Sequence, residues 1–172
     1  EPVDDEDAQK DQTVRVPRTD VLLVAIHNET IARYQEIVRK TGLEARFFEI
    51  EIFSTMRAVL DQDSAPVMIL DMGAATTKLY VLERGIVRVS HTINRGAQDI
   101  TTTISKSMSI SVHDAEVLKR SVGAIPQGAT DIREIVSLSL AYIFTETNQV
   151  ILNYQRKYNK TPSKIMLVGG GS

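Results

Sequence analysis

Two patterns of apolar and polar residues alternate along the chain and predict an α/β fold. Short continuous apolar runs rich in β-branched residues, such as 21–26, are typical of strands buried on both faces. Residues 86–93 instead alternate apolar and polar positions, as a half-exposed strand does. The predicted strands are 21–26, 45–50, 67–70, 78–82, 86–93 and 165–168, and the predicted helices are 29–40, 52–60, 99–108, 112–121 and 131–158.

Residues with helix-end preferences place several of these boundaries. Asn28 is the predicted N-cap of the first helix, and Gly42 is its predicted C-terminal stop. Ser111, with Asp114 three residues later, predicts the start of the fourth helix. In the last helix the apolar stripe weakens toward the C-terminus, so we expect its final turns to be exposed. The members of this predicted core stripe are Ile135, Leu138, Tyr142, Thr145, Gln149, Leu152 and Arg156.

The order of the elements suggests four parts. Residues 1–19 are rich in carboxylates and poor in apolar side chains, so we expect a disordered acidic lead-in. Residues 20–65 form a predicted β-α-β-α unit. The three strands of 66–95 form an antiparallel meander, residues 96–160 are helical, and residues 161–172 hold the last strand.

Composition excludes several classes of function. The 172 residues include 20 Lys and Arg against 22 Asp and Glu, a net charge of −2, which excludes a strongly basic nucleic-acid binder. The absence of cysteine excludes disulfides, thiol catalysis and thiolate metal sites. No continuous apolar run approaches the roughly 20 residues of a membrane-spanning helix. We therefore expect a soluble intracellular protein without a transmembrane segment.

The segment with the clearest chemical signature follows the strand at 67–70. Asp71 ends the apolar run, and a turn of small residues and hydroxyls comes next: Gly73, Ala74, Ala75, Thr76 and Thr77. Small residues let a backbone approach a phosphate, and successive N–H groups in a tight turn form an anion-binding concavity. Asp71 could hold Mg²⁺ through water. The alternative is a hairpin of small residues with a solvated aspartate.

Two further segments are candidates for binding. Gly169, Gly170 and Gly171 follow the last strand, at a position where α/β sheets often hold a nucleotide. A flexible chain end is the alternative. Glu116 and Lys119 share one helical face, where they form either a surface ion pair or a contact to ribose or adenine. Neither a Gly-x-x-x-x-Gly-Lys-Ser/Thr motif nor a complete Gly-x-Gly-x-x-Gly motif is present, and no residue is assigned as catalytic.

In this order, the segments resemble the actin-like ATPase superfamily, whose lobes have a ribonuclease H-like fold. The hairpin after Asp71 resembles the second phosphate loop of that superfamily, and the helix with Glu116 and Lys119 resembles its nucleotide-facing helix. The terminal glycines resemble its adenosine motif. Within the superfamily the chain is most similar to the PilM family of type IV pilus assembly proteins, relatives of FtsA. Stretches that carry this similarity include Val21 to Ile26, Thr41-Gly42-Leu43, Phe48-Glu49-Ile50-Glu51 and Asn94-Arg95-Gly96.

The resemblance implies an ATP-binding cytoplasmic scaffold, peripheral to the inner membrane, that uses ATP with Mg²⁺. Asp71 would position a Mg²⁺ water, residues 73–77 would cradle phosphates, and Gly169 to Gly171 would lie under the adenosine. The implied partners are the cytoplasmic tail of a PilN-like inner-membrane protein and other pilus assembly proteins. Two alternatives stay open: an FtsA-like polymerising cytoskeletal or cell-division protein, and an actin-fold interaction domain that no longer binds nucleotide.

The chain also departs from the superfamily pattern. The first phosphate loop has no counterpart here, so the resemblance implies a truncated fold: 20–65 would be a piece of the first lobe, 66–95 and 161–172 the second-lobe sheet, and 96–160 its helical small subdomain. We therefore expect the chain alone not to hydrolyse ATP. Ala74-Ala75 replaces a glycine-richer turn, and Arg95-Gly96-Ala97 has one glycine where relatives usually have two. Exposed sheet edges predict a homo-oligomer.

Overall fold

The computed structural model describes residues 21, 23–60, 65–121 and 130–171 of the 172. They separate into two units, residues 1–46 and 47–172, which are described one at a time. The predicted acidic lead-in at 1–19 lies outside the described residues. The elements in chain order are α1 (Asn28–Thr41), α2 (Glu51–Val59), β1 (Val67–Met72), β2 (Thr77–Glu83), β3 (Ile86–Ile93), α3 (Ala97–Met108), α4 (Val112–Ser121), α5 (Thr130–Tyr158) and β4 (Lys164–Val168).

The first unit contains the helix α1. It ends at Gly42, whose φ of +68° is the left-handed conformation of a C-cap glycine, as predicted from the sequence. The N-cap is His27 rather than the predicted Asn28, and it makes no capping hydrogen bond through its side chain.

The predicted strands at 21–26 and 45–50 are wrong for the described residues of those segments, which form no strand. Val21 and Leu23 are largely exposed, so they bury none of the apolar surface that suggested a buried strand. A strand is stable only when neighbouring strands take up its backbone hydrogen bonds and a core covers its side chains. An apolar run alone does not supply either condition.

The second unit is built on a four-stranded sheet with strand order β3-β2-β1-β4. Strands β1, β2 and β3 form the predicted antiparallel meander. The turn between β2 and β3 places Arg84 and Gly85 at φ of +52° and +73°, the left-handed values that the tight turn of a twisted hairpin needs. Strand β4 pairs in parallel with β1 after the chain has passed through α3, α4 and α5.

Helices cover both faces of this sheet, so the unit has three layers. On one face, α5 packs against strand residues through a buried core that includes Met68, Leu70, Leu79, Val81, Ile143, Val150 and Tyr154. On the other face, α2 packs through a smaller core of Ile52, Ile69, Tyr80 and Leu82. Burial on both faces explains why β1 and β2 are nearly continuous apolar runs in the sequence.

A third core holds α3 and α4 against the first part of α5. Its buried members are Ile100, Ile104, Ala115 and Ile132. Ser111 accepts a hydrogen bond from the backbone N–H of Asp114 at 3.1 Å, which confirms the predicted start of α4. Helix α5 therefore belongs to two cores: its first turns pack on α3 and α4, and its later turns pack on the sheet.

The core stripe predicted for α5 is wrong. Leu138 and Tyr142 are 68% and 52% exposed, whereas the buried positions are Ile132, Ile143, Thr147, Val150 and Tyr154. The expectation of exposed final turns holds for residues 152, 153 and 155–157, which are exposed, whereas Tyr154, 1% exposed, packs on the sheet. Helix α5 carries apolar residues on more than one face, so periodicity alone could not show which face meets the sheet.

One described helix, Ile132–Tyr158 within α5, is long and apolar enough to cross a membrane by length and composition. Polar residues such as those at 145–149 interrupt its apolar residues, which is why the sequence shows no continuous apolar run of that length. Ile143, Val150 and Tyr154 bury one side of this helix on the sheet.

Candidate functional site

Parallel pairing of β1 with β4 brings two of the predicted binding segments to one edge of the sheet. Asp71 lies opposite Val168 in the register, so the turn after β1 and the glycines after β4 leave the sheet side by side. The N–H of Gly171 donates to the Met72 carbonyl at 2.8 Å. The carboxyl ends of parallel strands are where open α/β sheets bind ligands.

The terminal glycines lie against the backbone of the β1 turn. Gly169 has φ of +97°, and a Cβ built there would lie 2.5 Å from both the Asp71 Oδ1 atom and the Met72 carbonyl oxygen. A Cβ on Gly171 would lie 2.9 Å from the same carbonyl. Gly170 has open space around it. Two of the three glycines are therefore required by close packing, whereas the third faces a cavity.

The turn after β1 is also fixed to the first residues of α3. The N–H groups of Ala97 and Gln98 donate to the carbonyls of Gly73 and Ala74 at 3.0 and 2.8 Å. A Cβ on Gly96 would lie 2.4 Å from the Ala74 carbonyl oxygen, so a glycine is needed where the two backbones meet. The chain has a single glycine at the start of α3, and it is the one that this contact requires.

These contacts orient the remaining donors of the turn. In a trans peptide the carbonyl and the following N–H point in opposite directions. Because the Gly73 and Ala74 carbonyls point toward α3, the N–H groups of Ala74 and Ala75 point away from it. Within the described part of the chain, the N–H groups of Ala74, Ala75 and Thr76 donate to no acceptor. Successive free amides in a turn of small residues are the kind of donors that bind an anion.

The two threonines of the turn have different environments. Thr77 is fully buried, and its hydroxyl donates to the Arg95 carbonyl at 2.8 Å. The expectation that the Thr77 hydroxyl contacts phosphate is therefore corrected: this side chain joins β2 to the segment before α3. Thr76 is partly exposed. The donors left for an anion are the backbone amides, with the Thr76 hydroxyl beside them.

Asp71 is the acidic group nearest this turn. It is partly exposed at the end of β1, and its Oδ1 atom lies against Gly169. Its partner across the strands is Lys78, whose ammonium pairs with Glu51 at the start of α2. That hydrogen bond raises the pKa of Lys78. Lys78 thus has another carboxylate as its partner, and the Asp71 carboxylate stays available to a hydrated cation.

Residues from all three predicted binding segments line one cleft of about 730 Å³. It has the size of pockets that hold small molecules. The loop contributes Ala74, the terminal glycines contribute Gly170, and α4 contributes Glu116 and Lys119. The other lining residues are Ala97, Gln98, Thr101, Thr102, Val112, His113 and Arg120. Segments that are far apart in the sequence therefore share one cavity.

Glu116 and Lys119 form a partly buried network rather than an isolated surface pair. The Lys119 ammonium donates to the Glu116 Oε2 atom at 2.7 Å, to the Thr101 hydroxyl at 2.9 Å and to the Ala97 carbonyl at 3.2 Å. The Thr101 hydroxyl lies 2.6 Å from the same Oε2 atom. Arg120 donates to the Glu116 Oε1 atom at 3.0 Å.

This network has a clear electrostatic consequence. Hydrogen bonds from Lys119, Thr101 and Arg120 lower the pKa of Glu116 from 4.5 to about 2, so the carboxylate is ionised at neutral pH. An ammonium has three protons, and all three of Lys119 are engaged. Oε1 has the exposed Arg120 as its partner, so Oε1 retains the capacity to accept a hydrogen bond from a ligand.

Sequence analysis did not identify Thr101, His113 or Arg120 as site residues. Thr101 lies on α3 and meets Glu116 only because α3 and α4 pack together, which no local pattern indicates. His113 and Arg120 are three residues before and four residues after Glu116, so helical periodicity around Glu116 would have placed both near it.

The groups present fit a nucleotide with a hydrated cation better than they fit a metal bound by protein alone. Among the described residues, no three His, Asp or Glu side chains cluster as a protein metal site requires. Mg²⁺ keeps several waters and commonly uses one or two carboxylates plus substrate phosphates. Asp71 beside a turn of free amides matches that donor set.

Comparisons with known proteins support an actin-like fold. The family model of the cell division protein FtsA matches residues 68–156, which is 89 of the 172 residues. Cell division protein FtsA of Neisseria meningitidis serogroup B is 24% identical over 122 residues, which cover 70% of this chain and 30% of that protein.

Solved structures give the same fold. A chain of the PilM–PilN type IV pilus biogenesis complex superposes with a TM-score of 0.70 at 22% identity, covering 84% of this chain and 41% of that chain. MreB5 of Spiroplasma citri bound to ADP superposes with a TM-score of 0.65 at 17% identity, covering 85% and 55%. The predicted actin-like ATPase fold is confirmed, and the chain spans between about a third and a half of the length of these relatives.

Proposed function

The chain belongs to the family of the cell division protein FtsA, and we propose that it is the nucleotide-binding lobe of an actin-like ATPase that holds ATP with Mg²⁺. The observation that carries the proposal is the common cleft: Ala74 of the turn with free backbone amides, Gly170 of the terminal glycines and the ionised Glu116 carboxylate line one cavity. The structure of a relative with the same fold, MreB5 of Spiroplasma citri, is of a complex with ADP, which supports the choice of a nucleotide.

Each segment of the site contacts a different group of the nucleotide in this proposal. The amides of Ala74, Ala75 and Thr76 donate to the phosphates, and Asp71 holds a water of the Mg²⁺ ion. Gly170 leaves room for the adenosine. Glu116 accepts hydrogen bonds from the ribose hydroxyls through Oε1. Lys119 holds the Glu116 carboxylate in place and does not itself bind phosphate, because its protons are already engaged.

Calorimetric titration with Mg²⁺–ATP tests this proposal. We expect saturable binding by the wild-type chain, and affinity at least about tenfold lower in Glu116→Ala, since a hydrogen bond to a charged group contributes roughly 1.5–3 kcal/mol. Gly170→Leu should also weaken binding by filling the cleft, since nothing lies within 4 Å of a Cβ there.

The matched control for this titration is Glu134→Ala. Glu134 is an exposed glutamate of α5 outside the cleft, and its removal should leave the affinity unchanged. Absence of binding by the wild-type chain at millimolar nucleotide would contradict the proposal and favour an actin-fold interaction domain without nucleotide. Equal losses in Glu116→Ala and Glu134→Ala would show that the nucleotide binds elsewhere.

We expect negligible ATP hydrolysis by this chain, because one phosphate loop is present in its sequence where the superfamily uses two. Release of inorganic phosphate from Mg²⁺–ATP measures this directly. Turnover above the uncatalysed rate that Asp71→Ala abolishes would contradict the expectation, since it would show a complete catalytic site on this chain.

For the biological role, we propose a PilM-like scaffold: a cytoplasmic protein, peripheral to the inner membrane, that binds the cytoplasmic tail of a PilN-like protein and other pilus assembly proteins. Similarity to a chain of the PilM–PilN type IV pilus biogenesis complex supports this choice. A binding titration of the full-length protein with a peptide of that tail, against a scrambled peptide of the same composition, tests it. Equal affinity for both peptides would overturn the scaffold proposal.

An FtsA-like polymerising protein is the second candidate, and the family match favours it specifically. Sedimentation and electron microscopy of the full-length protein distinguish the two. ATP-dependent filaments without affinity for a PilN-like tail would select the polymer, and tail binding without filaments would select the scaffold.

A further inference from the structure

Beyond the binding residues already described, we infer that Thr101 is a positioning residue whose hydroxyl holds the Glu116 carboxylate at the ribose side of the cleft. The inference rests on the proposed nucleotide site, and it concerns selectivity rather than the existence of that site. Thr101 lies in the second turn of α3, 4% exposed, and its hydroxyl faces two charged groups of α4.

The chemistry of a hydroxyl explains why a threonine is suited to this position. A hydroxyl donates one proton and accepts others through its lone pairs, whereas an ammonium can only donate. Lys119 therefore donates to the Thr101 oxygen over the 2.9 Å contact. The hydroxyl proton then goes to the Glu116 Oε2 atom at 2.6 Å, which is shorter and charge-assisted compared with the 3.1 Å contact to the Ala97 carbonyl.

This arrangement leaves one oxygen of the Glu116 carboxylate, Oε1, with capacity to accept hydrogen bonds from a ligand. Oε2 accepts hydrogen bonds from both Thr101 and Lys119. Oε1 has the single partner Arg120, whose side chain is 78% exposed and easily displaced. The carboxylate is thus fixed by one oxygen and presents the other to the cleft, where it can accept from the 2′- and 3′-hydroxyls of a ribose. A sugar that lacks one hydroxyl loses part of that contact.

The same network reaches the phosphate side of the cleft. Lys119 donates to the Ala97 carbonyl, and the N–H of Ala97 donates to the Gly73 carbonyl in the turn after β1. Loss of the Thr101 hydroxyl would therefore loosen Lys119 at its anchor on α3 as well as the carboxylate. The effect should be greatest on ribose recognition, because the Ala97 bond to Gly73 does not depend on Thr101.

The test compares Mg²⁺–ATP with Mg²⁺–2′-deoxy-ATP in calorimetric titrations of the full chain. We expect wild type to prefer ATP at least about tenfold, and Thr101→Val to lower that preference at least about fivefold by removing one charge-assisted hydrogen bond. Thr101→Ser keeps a hydroxyl and should restore the preference. Thr101→Ala is measured beside Thr101→Val, in case the valine disturbs packing.

The control is Thr103→Val, an exposed threonine of α3 whose hydroxyl donates to the Asp99 carbonyl within its own helix. A second readout is the ionisation of Glu116 by carbon NMR at pH 3: the carboxylate should be charged in wild type, Thr101→Ser and Thr103→Val, and more protonated in Thr101→Val and Thr101→Ala. A purely structural role for Thr101 would change stability without changing either readout.

The outcomes separate the two proposals. If wild type prefers ATP and the valine and alanine variants keep both the preference and the ionised carboxylate, Thr101 does not position Glu116 and the nucleotide site stands. If wild type binds both nucleotides equally, ribose selection by Glu116 is wrong, and the inference is overturned with it. If wild type binds neither nucleotide, the proposed function and the inference are both overturned.

Discussion

Close backbone contacts decide which glycines of the site are replaceable. We predict that Gly169→Ala lowers the unfolding free energy by about 2 kcal/mol, because the new methyl group would overlap Asp71 and Met72 at a left-handed φ. Gly170→Ala is the matched control: its methyl group meets nothing, so its cost should stay within about 0.5 kcal/mol. Urea denaturation of both variants measures the difference, and equal costs would contradict the packing described here.

The low pKa of Glu116 makes a second prediction at this scale. Its pKa is about 2 in the folded chain against an ordinary 4.5, so its contribution to stability is complete above about pH 5 and is lost as the pH falls toward 2. Because the side chain is 34% exposed, solvent screening reduces that contribution to about 1 kcal/mol.

Denaturation curves of wild type and Glu116→Gln between pH 7 and pH 3 measure this contribution. Wild type should lose more stability than the variant over that interval, since glutamine does not titrate. The lowered pKa would be disproved if the two proteins lost stability in parallel.

The sequence pattern of helix α5 predicts where the helix begins and ends but not which of its faces is buried. The ends of the elements between residues 67 and 168 agree with the sequence-based boundaries to within two residues, because turns such as Arg84–Gly85 and caps such as Ser111 are local signals. The face of α5 that meets the sheet is not a local property, because both candidate faces are apolar. In the structure, Ile143 and Tyr154 are the residues buried against Met68 and Leu79. Leu138 and Tyr142 are exposed.

Two adjacent residues of α5 test this assignment. Ile143 is 1% exposed and Phe144 is 50% exposed. We predict that Ile143→Ala lowers the unfolding free energy by about 2–4 kcal/mol, whereas Phe144→Ala costs less than about 1 kcal/mol. Thermal and urea denaturation of the two variants measure these costs. A larger loss from Phe144→Ala would mean that α5 is rotated about its axis relative to the structure described here.

For the whole molecule, the sequence indicated which segments form the site. It did not indicate which of their side chains face a ligand and which hold the fold together. The turn after Asp71 and the terminal glycines were recognisable because each combines a strand end with small residues. The contact between them depends on the parallel pairing of β1 with β4, which joins residues nearly a hundred positions apart. Two threonines were assigned wrongly from the sequence. Thr77 was expected to bind phosphate but is buried, with its hydroxyl on the Arg95 carbonyl. Thr101 was not identified, although its hydroxyl contacts Glu116.

The proposed phosphate site depends on the free amides of the turn, and an amide NMR titration with Mg²⁺–ATP tests them most directly. We predict saturable shifts of the Ala74, Ala75, Thr76 and Gly170 resonances with a common affinity. The Arg84–Gly85 turn, at the opposite end of β2, should stay unchanged. Unchanged turn amides at saturating nucleotide, or shifts confined to residues outside the cleft, would contradict a nucleotide site at this turn.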